Sequence, residues 1–256
     1  MFGAMGRMGR EVMQAVDLDE ELELTSAVDT QAPPGGEEMI LGSSTVKILP
    51  SLDDLDPDSI DVAIDFTHAD SAAKNIEWAL SNGVHAVVGT TGIPTDEIGR
   101  LAELAGRSET NALIAPNFAL GAVVMIRLGE VAALVFSGCE IIEMHHRGKI
   151  DAPSGTALET VRWIEAAMSS PDLRDSTERE VPGARGARCG GVRVHSVRLD
   201  GIVASQRVIF GSPGETLTIS HDTTDRSCFM PGVIMAVKAI DTLPGLTVGL
   251  ESVLGL

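Results

Sequence analysis

The sequence predicts an α/β protein of two domains: one built on a parallel sheet, the other an α+β domain with an open mixed sheet. Three observations carry this. Up to residue 118, short apolar runs alternate with helical stretches of roughly ten residues or more, the pattern of βαβ units. A glycine-rich turn, Gly3-Ala4-Met5-Gly6-Arg7-Met8-Gly9, runs straight into the first helical stretch. Beyond residue 119 the texture changes to long strand-like segments around a single helix, and a helical pattern returns at 229–240. The expected division is therefore 1–118 with 229–256 as one domain, and 119–228 as the other.

In order along the chain, a helix is expected at 11–16. Alternating residues at 22–28 read as a strand ending at Asp29, and the Pro/Gly/Ser-rich stretch 30–46 reads as a loop. The apolar run 61–66 reads as a buried strand. A helix at 69–81, a strand at 85–88, a helix at 95–106 and a strand at 112–115 follow. A long apolar helix at 120–135 leads to strands at 139–146, 192–210 and 215–220, with a helix at 156–168. The polar, Arg/Gly-rich stretch 171–191 reads as a surface loop. The sheet normally opens with a strand before the first glycine, yet only Met1 and Phe2 precede Gly3. The first strand thus reads as truncated, and an upstream extension of the frame, mostly Val, Ile or Ala, is expected.

Composition narrows the function. With 256 residues and 44% hydrophobic residues the chain can bury a substantial core. Lys and Arg total 19 against 37 Asp and Glu, a formal net charge of −18, and such a surface repels a phosphate backbone. Nucleic acid is therefore excluded as an expected partner. No apolar run is long enough to span a bilayer, and the start lacks the features of a signal peptide. The three cysteines, Cys139, Cys189 and Cys228, are far apart and form no CxxC pair, which argues against a disulfide frame or a cysteine metal site. A cytoplasmic protein follows.

Glycines at 3, 6 and 9 permit a tight strand-to-helix turn whose backbone N–H groups receive a pyrophosphate at a helix N-terminus. Asp29 stands twenty residues after the glycine turn at the end of the next strand, where an acidic side chain binds ribose hydroxyls. A plain turn at the glycines and an Asx turn at Asp29 are the bland alternatives. Gly89-Thr90-Thr91-Gly92 and Ala115-Pro116-Asn117-Phe118 each follow an expected strand, the end of a parallel sheet where ligands bind. These positions, Gly3 to Met8 included, are the candidate dinucleotide contacts. Asp29 favours a free ribose 2′-hydroxyl and no arginine follows it closely, so NADH is expected to serve at least as well as NADPH.

The densest chemistry lies in Glu140-Ile141-Ile142-Glu143-Met144-His145-His146-Arg147-Gly148-Lys149-Ile150-Asp151-Ala152-Pro153-Ser154-Gly155-Thr156-Ala157. A strand delivers two histidines, a lysine follows, and Pro153, Ser154 and Thr156 suit a helix start that attracts a carboxylate. One histidine can donate a proton near neutral pH. Adjacent histidines on a strand face opposite ways and no further ligand spacing completes a set, so no metal is expected.

This segment closely resembles the signature of the 4-hydroxy-tetrahydrodipicolinate reductase family. GAMGRMG at the start, IDFTH at 64–68, GTTG at 89–92, APNF at 115–118, VIFG at 208–211, GETLTISH at 214–221 and Asp225-Arg226 with Phe229 and Gly232 match the same family in order. The resemblance implies a Rossmann-like nucleotide domain, a substrate domain that also builds a homotetramer, NADH or NADPH as hydride donor, and a small dicarboxylate substrate. It implies His145 as proton donor and Lys149 as second catalytic group. His146, Gly155 and Thr156, with Ser154 beside them, are implied as substrate-binding, and Gly3, Ala4, Met5, Gly6, Arg7, Met8, Asp29, Gly89, Thr90, Thr91, Ala115, Pro116, Asn117 and Phe118 as cofactor-binding. The family often has a glycine and a histidine where Ala204 and Gln206 stand, a region expected to lie outside the chemistry. Another amino-acid dehydrogenase would share the glycine turn but not the HH-x-x-K…SGT segment. A nucleotide-sensing module without turnover is countered by intact His145 and Lys149.

Overall fold

A computed structural model describes residues 1–42, 44–169 and 175–256. Contacts divide the chain into two units, Met1–Ala119 with Arg226–Leu256, and Leu120–Asp225.

Unit 1 begins with Met1 and Phe2, which run into the glycine turn and helix α1 (Arg7–Asp17). Strands β1 (Ala27–Val28), β2 (Glu37–Ile40), β3 (Thr45–Leu49) and β4 (Val62–Asp65) follow. Then α2 (Ala69–Ser81), β5 (His85–Val88), α3 (Thr95–Ala105) and β6 (Ala112–Ile114) complete the alternation. Strands β4, β5 and β6 pair in parallel. β1 and β3 pair in parallel, and β2 closes that edge antiparallel to β3. Phe2 joins the two groups, bridging in parallel to both Val28 and Asp65. Its N–H donates to Ile64 O at 2.8 Å, and Val28 N–H donates to Met1 O at 2.7 Å. The position expected for a first strand is thus held by two residues bonded on both sides. Their backbone groups are satisfied by both neighbours, as buried peptide groups must be.

Helix α1 buries Gly9, Val12, Met13 and Val16, spaced along one face at the helical period. Gly9 is dictated by contact: a Cβ there would lie 2.1 Å from Gly3 O. Gly3 itself adopts φ +79°, a left-handed conformation that glycine takes without strain.

Unit 2 starts with α4 (Leu120–Ala133) and continues through β7 (Gly138–His145), α5 (Gly155–Ala167), β8 (Ala187–Cys189), β9 (Val192–Arg198), β10 (Ala204–Ser212) and β11 (Glu215–Thr223). The five strands lie in the order β11-β10-β7-β9-β8, with only β7 and β9 parallel. Alternation along β7 sends Cys139, Ile141 and Glu143 to a buried face, where Ile141 joins Val194, Val208 and Phe210 in a core with residues of α4 and α5. The chain then returns to unit 1 as α6 (Met230–Ala239), β12 (Leu246–Val248), which pairs in parallel with β6, and the short α7 (Glu251–Leu254). Asn111 fixes the returning segment by donating to Ile240 O and Asp241 O and accepting from Gly245 N–H.

Four local expectations are corrected. The strand read at 22–28 is paired only over Ala27–Val28. The stretch 30–46 holds β2, whose exposed residues hide the strand signal, and the start of β3, with which it pairs antiparallel; residue 43 lies outside the described residues. The run 192–210 is two strands, β9 and β10, broken around Gly201 at φ +88°. The segment 171–191 contains β8, while 171–174 lie outside the described residues.

Gly9→Ala is expected to destabilise unit 1 by about 1–3 kcal/mol or more, because the backbone oxygen it meets cannot rotate away. Chemical denaturation of the wild type and the variant measures this.

Candidate active site

In unit 1 the candidate cofactor residues converge on the carboxyl ends of the parallel strands. Met5 N–H donates to Asp29 Oδ2 at 2.9 Å, so the acid at the end of β1 is bonded directly to the glycine turn, and Gln31 N–H donates to its Oδ1. Gly6, Arg7 and Met8 line a cleft of about 350 Å³ with Thr67, His68 and Gly89, Thr90 and Thr91. Gly6 caps α1 without a side-chain hydrogen bond, and the first turn holds no acidic residue. That leaves a positive helix end able to receive an anion. A Cβ at Gly89 would lie 2.1 Å from the Phe66 ring, which in turn packs on Phe118 with centroids 5.7 Å apart. This tilted ring contact brings Phe118 near the Gly89 turn, and Ala115 N–H donates to Val88 O just before it. Asn117 Oδ1 accepts from Ala119 N–H.

The cleft is braced by a residue that the sequence reading assigned no role. Asp65, 2% exposed, ends β4 and accepts from Thr67 N–H, Thr67 Oγ1, Asn75 Nδ2 and, at 2.7 Å, Thr90 Oγ1. A carboxylate closing an apolar strand is the signal that could have found it.

In unit 2 His145 ends β7. Its Nδ1 lies 2.6 Å from Glu143 Oε2, and Glu143 is fully buried. Residues two apart on a strand share a face, so spacing alone could have paired them. Arg198, on β9 opposite His145, donates Nη1 to Glu143 Oε2 at 3.0 Å and Nη2 to Oε1 at 2.9 Å. It also donates to Asp151 O at 2.7 Å. Nothing in the sequence marked Arg198. Burial pushes the Glu143 carboxyl up, but Arg198, Ser196 and His145 outweigh it and hold Glu143 below the usual carboxylate range. Burial likewise pushes the His145 imidazole down. Glu143 opposes this, while Lys149 and Arg198 add to it, and the net proton affinity falls below that of an ordinary histidine.

Lys149 pairs with Asp151 at 2.8 Å, which lowers the Asp151 pKa. His146 lies one residue beyond the end of β7 and is exposed beside Gly148. Ser154 is buried and caps α5, accepting from Ala157 N–H; Gly155 and Thr156 form the helix's first turn. His145, Lys149, Ser154, Gly155 and Thr156 thus sit on one strand end, one loop and one helix start. Ala204 and Gln206, expected outside the chemistry, are the strand neighbours of His145 and Glu143. Gln206 Nε2 donates to Thr160 Oγ1, whose own hydroxyl donates to Thr156 O. No three His, Cys, Asp or Glu side chains gather at metal-binding distance among the described residues. Nor is any described helix long and apolar enough to cross a membrane.

Residues 1–118 match the family described as dihydrodipicolinate reductase, N-terminus, and residues 121–254 match dihydrodipicolinate reductase, C-terminus. The chain is 45% identical over 260 residues to the 4-hydroxy-tetrahydrodipicolinate reductase of Cutibacterium acnes, covering 100% of this chain and 98% of that one. It is 43% identical over 258 residues to the enzyme of that name from Mycobacterium sp. (strain KMS), with the same coverage. Among solved structures it resembles the dipicolinate-bound dihydrodipicolinate reductase of Paenisporosarcina sp. TG-14, with a TM-score of 0.87 and 35% identity over 98% of this chain and 97% of that one.

Asp65→Asn removes the charge that gathers Thr67, Asn75 and Thr90. Charge-assisted bonds of this kind contribute about 1.5–3 kcal/mol, so nicotinamide dinucleotide affinity is expected to fall roughly tenfold. Fluorescence titration with the reduced cofactor measures it; unchanged affinity removes Asp65 as the brace of the Thr90 turn.

Proposed function

The chain belongs to the dihydrodipicolinate reductase family, and from that premise we propose that it reduces 4-hydroxy-tetrahydrodipicolinate to tetrahydrodipicolinate with NADH or NADPH, in diaminopimelate and lysine biosynthesis. The reaction consumes one hydride and one proton and releases the hydroxyl as water. The observation that carries this reading is the arrangement at 145–156: a histidine held by a buried carboxylate, a lysine on the next loop, and a helix start.

The glycine turn, Asp29 and the turns at 89–91 and 115–118 suit a dinucleotide, since close approach of backbone is built in at Gly3, Gly9 and Gly89. When bound, the nicotinamide supplies the hydride; the chain's own residues supply orientation, charge and the proton. His145 gives its proton from Nε2, the nitrogen not engaged by Glu143. Lys149 exchanges its Asp151 partner for a substrate carboxylate. The positive end of α5 at Ser154, Gly155 and Thr156 receives a carboxylate of the same dianion, with His146 at the margin. A dicarboxylate such as the dipicolinate bound by the Paenisporosarcina protein matches this placement of positive charge. We assign homotetramer assembly to unit 2, whose sheet carries Ile142, Met144, Val197 and Ile209 partly exposed on the face away from Ile141. A cytoplasmic enzyme accords with its biosynthetic relatives.

Replacing His145 with Gln is expected to lower kcat about 10²–10⁴-fold while cofactor affinity stays within about twofold. A kcat within a few-fold of wild type excludes His145 as the donor. The pH dependence has a defined sign. The donor works protonated and its proton affinity in the free protein is depressed, so kcat/KM falls as pH rises, with a midpoint below the value of about 6.5 for an unperturbed histidine. A bound dianion stabilises the imidazolium, so the corresponding fall in kcat lies at higher pH than that in kcat/KM. Steady-state rates across pH test both; a kcat/KM that rises with pH contradicts the assignment.

Cofactor choice rests on Asp29, which is half-buried and already bonded to the glycine turn. Its charge repels a 2′-phosphate, so NADH is expected to be used at least as well as NADPH. Side-by-side kcat/KM values decide this, and a strong NADPH preference counts against the role of Asp29.

A further inference from the structure

Glu143 is a fully buried side chain in the middle of a catalytic strand, and two buried polar atoms flank it without partners among the described residues, Arg198 Nε and Gln206 Oε1. Keeping a carboxylate away from water is costly unless it is paired and hydrogen-bonded. A role confined to core packing would be met more cheaply by an apolar residue such as the neighbouring Ile141.

We propose that Glu143 and Arg198 are positioning residues for proton transfer: Glu143 holds His145 in the tautomer whose Nε2 exchanges the proton, and Arg198 keeps Glu143 ionised while tying it to the loop that carries Lys149. This rests on the reading of His145 as donor.

The tautomer follows from hydrogen-bond chemistry. An ionised carboxylate only accepts, so at 2.6 Å the His145 Nδ1 must carry hydrogen. Nε2 is then the nitrogen that gains and loses a proton in turnover. Arg198 supplies the ionisation through a two-pronged contact with both carboxylate oxygens. The same guanidinium binds the Asp151 carbonyl, two residues beyond Lys149, so the donor's anchor and the anion-binding loop share one tether.

The charge balance points the same way. His145 faces Glu143 on its own strand, Lys149 and its partner Asp151 on the following loop, and Arg198 on β9; from β10 the residue opposite is the uncharged Ala204. Two cations and burial disfavour an imidazolium there. Glu143 is the counter-charge in contact with the ring, and without it the acid form would be scarcer still.

Nitrogen-15 NMR of the full-length protein tests this, because the chain has only six histidines and His145 is identified by its loss in His145→Gln. The neutral wild-type ring is expected as the Nδ1–H tautomer. In Glu143→Gln its titration moves to lower pH, and the ratio of kcat at pH 8 to kcat at pH 5.5 drops at least about tenfold below the same ratio in the wild type. Arg198→Lys retains the charge but loses the fork; it keeps the wild-type pH profile and raises KM, since the loop tether is weakened. An Nε2–H tautomer in the wild type overturns the proposal, as does a titration in Glu143→Gln at or above the wild-type pH. The tautomer is read without any substitution, so it decides even where a variant fails to fold. Full turnover in His145→Gln refutes the donor itself; turnover lost in that variant together with an Nε2–H ring refutes only the positioning role.

Discussion

Each unit is organised around a carboxylate that has been taken out of water and must be answered by donors. An unpaired ion in the interior is so costly that its surroundings are fixed by the need to satisfy it. Asp65 meets this with two threonines and an asparagine, and the Thr90 turn is held as a consequence. Glu143 meets it with Arg198 and His145, and the His145 ring is held as a consequence. In both cases the acid stands at or near the carboxyl end of a strand, and its partners include residues of other elements, Thr90 for Asp65 and Arg198 for Glu143. The site residues are therefore fixed by the demands of the core as much as by any ligand.

This explains why the sequence was informative in some places and silent in others. The helix read at 69–81 and the strand at 85–88 coincide with α2 and β5, because both carry continuous apolar patterns bounded by polar turns. Strand β2 escaped notice because Glu37, Glu38 and Ile40 are exposed, and β3, which does alternate with Val46 and Ile48 buried, begins inside the Pro/Gly/Ser-rich stretch. Likewise β12 and α7 are too short to show a period. His145 and Lys149 were legible because their residue types announce chemistry within a compact segment. Arg198 and Asp65 were not, since an arginine ending one strand and an aspartate ending another have ordinary explanations until partners from distant positions are known.

The acidity of the chain sharpens the electrostatic problem. A net charge of −18 opposes the approach of a dinucleotide and of a dicarboxylate alike. Attraction has to be local, where low dielectric strengthens each interaction. Unit 1 uses the uncapped start of α1 and an exposed Arg7 in place of a cluster of basic side chains. Unit 2 offers Lys149 and the start of α5, while Arg198 is committed to Glu143. Asp151 pairs with Lys149 and so partly neutralises the ammonium.

Gln206 shows how a departure from the family pattern fits the same constraint. The family often has a histidine here, and this position lies directly across the strand pair from Glu143. A histidine would place a second titrating ring against the carboxylate that holds the donor. Glutamine is neutral at every relevant pH, so the charge seen by Glu143 is set by Arg198 and His145 alone. Its amide also extends the order outward: Gln206 binds Thr160, Thr160 binds the Thr156 carbonyl, and Thr156 lies in the first turn of α5. Glutamine here thus adds no titrating ring beside Glu143, and its amide links the strand next to β7 to the start of α5.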